Sequence, residues 1–103
     1  MGMSHEFICS NEGRREKVFN LINEEREYQD NMPQHANKEQ QRATSVAAWI
    51  IYMQKLLDKA GDKIYDMDER GALEYIRKCA AVGVACMEYN NTPHRTKPAL
   101  EEC

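Results

Sequence analysis

Glu25 is an acidic residue on the apolar side of a predicted helix. At about 100° per residue, a helix from Arg14 to Asp30 places Glu25 on one stripe with four apolar or aromatic residues, Val18, Leu21, Ile22 and Tyr28. Folding should carry this carboxylate toward the interior, where an unpaired charge is unfavourable. The sequence therefore predicts a polar pocket between helices, in which a metal, a basic side chain or a ligand meets Glu25, or in which its carboxyl group is neutral.

Other side chains have the chemistry needed to bind a small ligand. Aromatic faces stack on planar rings, and cationic side chains bind anionic oxygens. The candidate ligand-binding residues are Glu25, Tyr28, Gln29, Trp49, Arg77, Lys78, His94 and Arg95. The last two lie after the final predicted helix, in a segment that can fold over the pocket of a neighbouring protomer.

Each candidate also has a purely structural interpretation. Glu25 can form a buried ion pair with Arg77 or Lys78. Trp49 lies on a complete apolar stripe and fits a hydrophobic core. His5, His35 and His94 fit solvated imidazoles. The charged residues of the first helix fit a solvent-facing, self-paired surface, and they are Glu12, Arg14, Arg15, Glu16, Glu24, Arg26 and Glu27.

Three long helices are predicted to position these residues. Ser10 or Asn11 caps the first helix, and the polar segment 31–42 that follows it predicts a surface loop or a short extra turn. Thr44 or Ser45 then caps a second helix, which runs to about residue 59 and is expected to stop at Gly61. Its apolar residues follow helical spacing without interruption, and they are Val46, Trp49, Ile50, Met53, Leu56, Leu57 and Ala60.

The third helix is predicted from a capping-box pattern, Asp66 with Glu69, and runs to about residue 90. Residues 79–87 put small or apolar side chains around its whole circumference, so nearly every side must be covered. A second copy of the chain supplies that cover most simply, with close approach at Ala80, Gly83 and Ala85 and a further buried surface at Ile51 and Tyr52.

The predicted fold is therefore all-α, with three main helices per chain forming a bundle that homo-oligomerisation completes. Residues 1–10 form an irregular N-terminal segment, residues 11–90 a single helical domain and residues 91–103 a C-terminal tail. The length of 103 residues, with 42% hydrophobic and 30% charged content, fits one small soluble domain. Self-association is a reasonable way for a domain of this size to gain stability.

Composition also narrows the partners and the compartment. A net charge of −3 weighs against a nucleic-acid polymer, and no apolar run approaches the roughly 20 residues of a membrane span. The N-terminus lacks the apolar core of a signal peptide, so a cytoplasmic location is expected. The cysteines form no CxxC pair, which favours reduced thiols, and they are Cys9, Cys79, Cys86 and Cys103.

Three segments carry a resemblance to a known family: INEEREYQD at 22–30, residues 49–60 and ALEYIRKCAA at 72–81. Over about residues 16–87 the chain resembles small phage-encoded proteins similar to the MazG-like group of all-α nucleotide pyrophosphohydrolases. In that group an EExxE run and a later ExxD hold magnesium ions against a nucleoside triphosphate, and the proteins are usually dimers or tetramers. The resemblance implies Glu24, Glu25 and Glu74 as metal ligands.

The chain departs from the family's EExxE and ExxD motifs at one position in each. Tyr28 stands at the last glutamate of EExxE, and Arg77 stands at the aspartate of ExxD, where a cation repels a metal ion. This favours a small, cyclic nucleotide that is bound and sequestered without cleavage and without a cofactor, as in sponge proteins that phages use against signalling defences in the host cytoplasm. Mg²⁺-dependent pyrophosphohydrolysis is the alternative, and a protein-interaction module using Ile51, Tyr52 and Val82 is a second one.

Overall fold

A computed structural model of the chain describes residues 12–32 and 38–96. It contains four helices, which are α1 (Glu12–Asn31), α2 (Lys38–Ala43), α3 (Val46–Tyr65) and α4 (Glu69–Tyr89). No strand occurs in these two ranges, so the all-α prediction is confirmed there. Several sequence predictions lie outside the described residues: the segment 1–10, the proposed caps Ser10 and Asn11, tail residues 97–103, and the side chains of His5, His35, Cys9 and Cys103.

The longest helix, α4, is the centre of the fold, because both α3 and α1 pack against it. The main core lies between α3 and α4 and contains Trp49, Leu56, Cys79, Val82 and Ala85. Tyr89 extends this core, since its ring lies nearly parallel to the ring of Trp49, with 6.5 Å between the ring centroids. Most core side chains on α4 are small, so α3 packs closely against it.

The segment between α1 and α3 includes one short helix, α2, which matches the predicted short turn rather than a continuous loop. Ser45 then begins α3, because its backbone is extended and its hydroxyl accepts a hydrogen bond from the Ala48 amide at 3.1 Å. This N-cap satisfies one of the amides that the first turn of a helix leaves without a partner. Of the two predicted caps, Ser45 is therefore the correct one.

The end of α3 differs from the prediction, because the helix continues through Gly61 to Tyr65. Two hydrogen bonds close it: the Asp68 amide donates to the Lys63 carbonyl at 2.8 Å, and the Met67 amide donates to the Ile64 carbonyl at 2.9 Å. This pair is the Schellman motif, which needs a residue with positive φ just after the helix. Met67 takes that conformation, with φ of 60°. The helix thus ends at a methionine in a position that usually favours glycine.

Replacing Met67 by glycine should raise the free energy of unfolding by about 0.5–1 kcal/mol, because the left-handed conformation strains any residue with a Cβ. The side chain of Met67 is 91% exposed, so its loss removes little packing. Tyr65→Gly is the matched control, since Tyr65 is also 91% exposed but is helical, and that variant should lose stability. Urea unfolding followed by circular dichroism measures both effects. A loss of stability in Met67→Gly would contradict the prediction.

Gly61→Ala should raise the free energy of unfolding by about 0.5–1 kcal/mol, because glycine weakens a helix interior and the site is open. Apart from the adjacent residues and the backbone of the same helix, no described atom lies within 4 Å of the position that a Cβ at Gly61 would occupy. Gly71→Ala is the contrasting variant, since a Cβ there would overlap the carboxylate of Asp68 and should lower stability. Thermal unfolding of the two variants checks this expected difference in sign.

The N-cap of α4 is Asp68 rather than the predicted Asp66. Its carboxylate accepts a hydrogen bond from the Gly71 amide at 2.9 Å, and Glu69 occupies the first helical position instead of the third. Asp66 is the C-cap of α3, so it belongs to the end of one helix and not to the start of the next. The prediction of Asp66 was wrong because it assumed that the preceding helix ends at Gly61. That helix continues to Tyr65, so the turn before α4 is shorter and begins later.

Part of the small-residue segment of α4 is covered by α3 of the same chain, whereas the prediction assigned this cover to a second copy. A Cβ added at Gly83 would lie 3.2 Å from the Met53 terminal methyl, so the close approach there is to α3. Ala81 and Ala85 are buried, and Ala80 is half-buried. The predicted seam at Ala80, Gly83 and Ala85 is therefore largely an internal one.

The predicted apolar stripes of α1 and α3 are only partly buried. On α3, Trp49, Leu56 and Ala60 are buried, and Met53 is half-buried. On α1, Ile22 is half-buried. The remaining stripe residues of these two helices are exposed, together with Ile51 and Tyr52, and they are Val18, Leu21, Tyr28, Val46, Ile50 and Leu57. Because two helices pack on α4 from different directions, each one contacts it through a narrower stripe than its own sequence pattern suggests.

The two described cysteines are free thiols. Cys79 is buried, and this burial raises the pKa of its thiol above the usual range. Its Sγ lies 3.7 Å from the Met53 carbonyl oxygen. Cys86 is half-buried. None of the described helices has the length and apolar composition to cross a membrane.

Candidate functional site

Glu25 is buried, as its position on α1 predicts, and Arg77 of α4 is its partner. The side chain of Glu25 is 9% exposed, and the Arg77 Nε donates a hydrogen bond to its Oε1 at 3.0 Å. Of the partners left open by the sequence, the basic side chain is the one observed. The ion pair joins two helices that are distant in sequence, so it also fixes how α1 lies on α4.

A groove of about 390 Å³ lies beside this ion pair, between α1 and α4. We call it the polar groove, and its lining residues are Leu21, Glu24, Glu25, Tyr28, Glu74, Arg77 and Lys78. Its volume is within the range of small-molecule sites, which begins at about 300 Å³. The groove brings together four of the predicted ligand-binding residues and all three of the predicted metal ligands.

The cations of the polar groove differ in how they are held. The Arg77 side chain is 36% exposed, and its two terminal amino groups make no hydrogen bond within the described ranges. Lys78 places its Nζ 4.8 Å from the centre of the Tyr75 ring, a distance that gives a cation–π contact. The Arg77 terminal amino groups can therefore bind an anionic group while the Nε keeps its hydrogen bond to Glu25. The Lys78 ammonium can do the same without breaking an ion pair.

The carboxylates of the groove do not form a metal centre. Glu24 and Glu74 are exposed, while Glu25 is engaged by Arg77. Within residues 12–32 and 38–96 no group of three or more histidine, cysteine, aspartate or glutamate residues is arranged to hold a metal ion. Mg²⁺ requires several oxygen ligands in a near-octahedral array, and a guanidinium next to the most buried carboxylate opposes it. This donor set does not fit magnesium.

Trp49 and Gln29 line a different site, a small cavity of about 20 Å³. Its lining residues are Arg26, Gln29, Gln41, Trp49, Tyr52, Val82 and Ala85. The Gln29 side-chain amide lies 3.5 Å from the Lys78 carbonyl, which is a long hydrogen bond. The Trp49 Nε1 is buried without a hydrogen-bond partner in the described structure. A cavity of this size holds one water molecule and no nucleotide.

His94 and Arg95 lie apart from both cavities. They follow the end of α4 in a non-helical segment, residues 91–96, and both are exposed. Neither side chain lines the polar groove. The predicted ligand set is thus divided among three places: the polar groove, the interior beside Trp49 and the segment after α4.

Arg26 is the residue that the sequence analysis placed wrongly. It is 6% exposed, although it was assigned to the solvent-facing charges of the first helix. Its guanidinium contacts Glu88 at 2.6 Å and Asp30 at 3.0 Å. Burial lowers its pKa, but the hydrogen bonds and charges of Glu88 and Asp30 raise it by more, so the pKa lies above the usual value.

A signal for Arg26 was present in the helical spacing. Ile22, Arg26 and Gln29 lie at positions i, i+4 and i+7, so they share one side of α1, and this side faces α4. The residue type pointed the other way, because arginine is rarely buried unless it is paired. Its main partner, Glu88, is 62 residues away and has no marker in the sequence.

Comparisons with known proteins found no match for this chain among protein-family models, curated proteins or solved structures. The resemblance to the MazG-like group therefore stays a prediction.

Proposed function

We propose that the chain binds a small nucleotide, preferably a cyclic one, in the polar groove and retains it without cleavage. The observation that carries this proposal is the ion pair between Arg77 and Glu25. It engages the most buried carboxylate of the groove with a cation, and it fixes the guanidinium at the groove wall. A preorganised guanidinium is suited to binding phosphate oxygens through two parallel hydrogen bonds.

The remaining groove residues fit the other parts of a nucleotide. Tyr28 is 61% exposed, so one face of its ring is available for stacking on a base. The Lys78 ammonium adds a second cation for phosphate. Glu24 and Glu74 can accept hydrogen bonds from amino groups of a base or from sugar hydroxyl groups. Base, sugar and phosphate thus each have a partner among the side chains that line the groove.

The charge of the groove favours a cyclic nucleotide over a linear triphosphate. Its lining contains three carboxylates and two cations, which gives a formal charge of −1. A linear triphosphate carries several negative charges, which this groove repels unless a metal ion neutralises them. A cyclic nucleotide carries only one negative charge per phosphodiester group, so the groove repels it less than a linear triphosphate. The same difference in charge favours sequestration over hydrolysis of a triphosphate.

The biological part of the proposal follows the resemblance described above. A phage protein of this kind acts in the cytoplasm of the host cell and removes a cyclic-nucleotide signal of a defence system by sequestration. It acts as a homo-oligomer, without a nucleic-acid polymer or a membrane as partner. The large apolar side chains that α1, α3 and α4 leave exposed support self-association.

The test is to incubate the protein with cyclic mono-, di- and trinucleotides and with linear triphosphates, each with and without Mg²⁺. Unbound ligand is removed, and the retained ligand is analysed by chromatography before and after heat denaturation. Retention of an unchanged cyclic nucleotide is the expected result. Release of monophosphate and pyrophosphate from a triphosphate would replace the proposal with the hydrolase alternative. Absence of any retention or turnover would leave the protein-interaction alternative.

Two variants with matched controls locate the bound ligand. Lys78→Ala removes a charge-assisted contact and should weaken retention roughly tenfold or more, while Lys55→Ala removes an exposed lysine that does not line the groove. Tyr28→Ala should also weaken retention, while Tyr65→Ala removes an exposed tyrosine elsewhere. Equal effects of a groove variant and its control would place the ligand outside the polar groove.

A further inference from the structure

One face of the molecule presents apolar side chains that the described chain leaves largely uncovered. A groove of about 480 Å³ lies between α1 and α4, and a second groove of about 350 Å³ lies between α3 and α4. Leu73 and Ile76 line both grooves, so these two residues form a ridge between them. We call the whole surface the apolar face, and it consists of Val18, Leu21, Ile22, Ile64, Leu73 and Ile76.

We propose that a second copy of the chain occupies the apolar face, in a two-fold dimer in which α4 crosses the partner's α4 near Leu73. A ridge flanked by grooves can fit a copy of itself, because two such ridges that cross at an angle each extend into the grooves on either side of the other. This is the geometry that a two-fold interface requires, since the same surface must fit itself. The predicted seam near Gly83 is already filled by α3, so the contact is on the other half of α4.

The area of the apolar face matches what a stable dimer needs. Five of its six residues are 43–62% exposed, which leaves on the order of 400 Å² of apolar surface uncovered. A standard interface buries about 800 Å² per subunit, of which about 60% is apolar. The face therefore supplies most of the apolar part of such an interface, and polar residues at its rim supply the remainder.

The charges at the rim are also complementary under a two-fold axis near Leu73. Residues equally far on either side of the axis then lie opposite each other. Glu69 and Arg77 are each four residues from Leu73, while Arg70 and Glu74 are each two residues from the adjoining Ala72, so both pairs are centred close to the axis. Each acidic side chain thus approaches a basic one of the partner subunit. Glu69, Arg70 and Glu74 make no ion pair within the described ranges.

The dimer completes the polar groove, a step that depends on the function proposed above. Leu21, Glu74 and Arg77 line both the polar groove and the groove between α1 and α4 that belongs to the apolar face. A second copy seated on the apolar face therefore adjoins the nucleotide and forms a further wall of its site. Loss of the dimer should then weaken ligand retention, even though the cations of the polar groove are unchanged.

The oligomeric state without ligand tests the interface by itself. Light scattering after size-exclusion chromatography should give twice the chain mass of 12.0 kDa for the wild type and a single chain mass for Leu73→Glu. Leu73 is 62% exposed in one chain, so the change spares the core. Ile51→Glu is the control, because Ile51 is also exposed but lies outside both grooves, and it should stay dimeric. A monomeric wild type, or a monomer from Ile51→Glu alone, would overturn the proposal.

Charge reversal tests the register of the two copies. Arg70→Glu should shift the protein toward the monomer, and Glu74→Arg added to it should restore the dimer, because opposite charges again face each other. Failure of the double variant to recover would exclude this crossing. Deletion of residues 1–11 addresses the other possible occupant: a monomeric wild type that becomes dimeric on deletion would show that this segment covers the face, against the proposal.

Ligand retention by Leu73→Glu separates the two proposals. A monomeric variant that retains less nucleotide than the wild type is expected. A wild-type dimer that retains no nucleotide would support the proposed interface and contradict the proposed function. Full retention by the monomeric variant would show that the polar groove is complete in one chain. This result would overturn the proposal that the second copy forms part of the binding site.

Discussion

Arg77→Met is expected to lower the free energy of unfolding by about 2–4 kcal/mol, because it leaves a buried carboxylate without its partner. The side chain of Glu25 is 9% exposed and has the Arg77 Nε as its hydrogen-bond donor at 3.0 Å. Glu25 faces solvent only through the polar groove, so its carboxylate regains little of its hydration while α1 and α4 stay in contact. The loss is large for a small domain, since the total stability of such domains is about 5–15 kcal/mol.

Removing the other partner should cost much less, because the two side chains are unequally buried. In Glu25→Leu the remaining Arg77 side chain is 36% exposed and can turn to solvent. The double variant Glu25→Leu/Arg77→Met should recover most of the stability that Arg77→Met alone loses. Urea unfolding at one fixed protomer concentration measures all three variants. Equal losses from the two single changes would show that burial of Glu25 does not control the effect.

Removing both acids that contact Arg26 should lower the free energy of unfolding by about 3–5 kcal/mol, because the cation is then buried without a partner. In this cluster the basic residue is the buried one: the side chain of Arg26 is 7% exposed, while those of Asp30 and Glu88 are 34% and 51% exposed. Each single change, Asp30→Ala or Glu88→Ala, should cost much less than the pair, since one acid still faces the guanidinium.

The control for this prediction is Glu16→Ala/Glu27→Ala, which removes two exposed acids from α1 and should change stability little. Adding Arg26→Met to the Asp30→Ala/Glu88→Ala pair should restore part of the lost stability, because the unpaired charge is removed. Thermal unfolding at neutral pH measures these variants. The pKa of Arg26 lies above its usual value, so its charge persists at every pH used. Additive small losses from the two alanine changes would contradict this account.

These two clusters show why the functional test relies on Lys78 and Tyr28. Arg77 supports both the fold and the proposed site, so loss of ligand retention in its variants has two explanations. Lys78 contacts the Tyr75 ring, and Tyr28 is 61% exposed, so neither side chain carries a buried charge pair. Their variants should therefore keep the stability of the wild type while losing nucleotide. Stability and binding can be separated on this basis.

The local pattern of the chain was sufficient to predict the helices and some of their ends. Helical spacing of apolar residues predicted α1, α3 and α4 within a few residues, because that spacing depends only on the geometry of one helix. Ser45 was among the predicted caps for the same local reason. The end of α3 was wrong, since Met67 adopts positive φ in place of glycine, and this conformation is imposed by the turn into α4.

The sequence by itself determined that Glu25 lies on the inward side of α1 and that a basic residue of α4 was one of its possible partners. Only the tertiary structure decided which partner it has, that Arg26 is buried as well, and that Trp49 lies in the core rather than in the groove. It also decided which apolar residues stay exposed. The physical reason is that spacing fixes the direction of a side chain from its own helix, whereas burial and pairing depend on where a second helix crosses it.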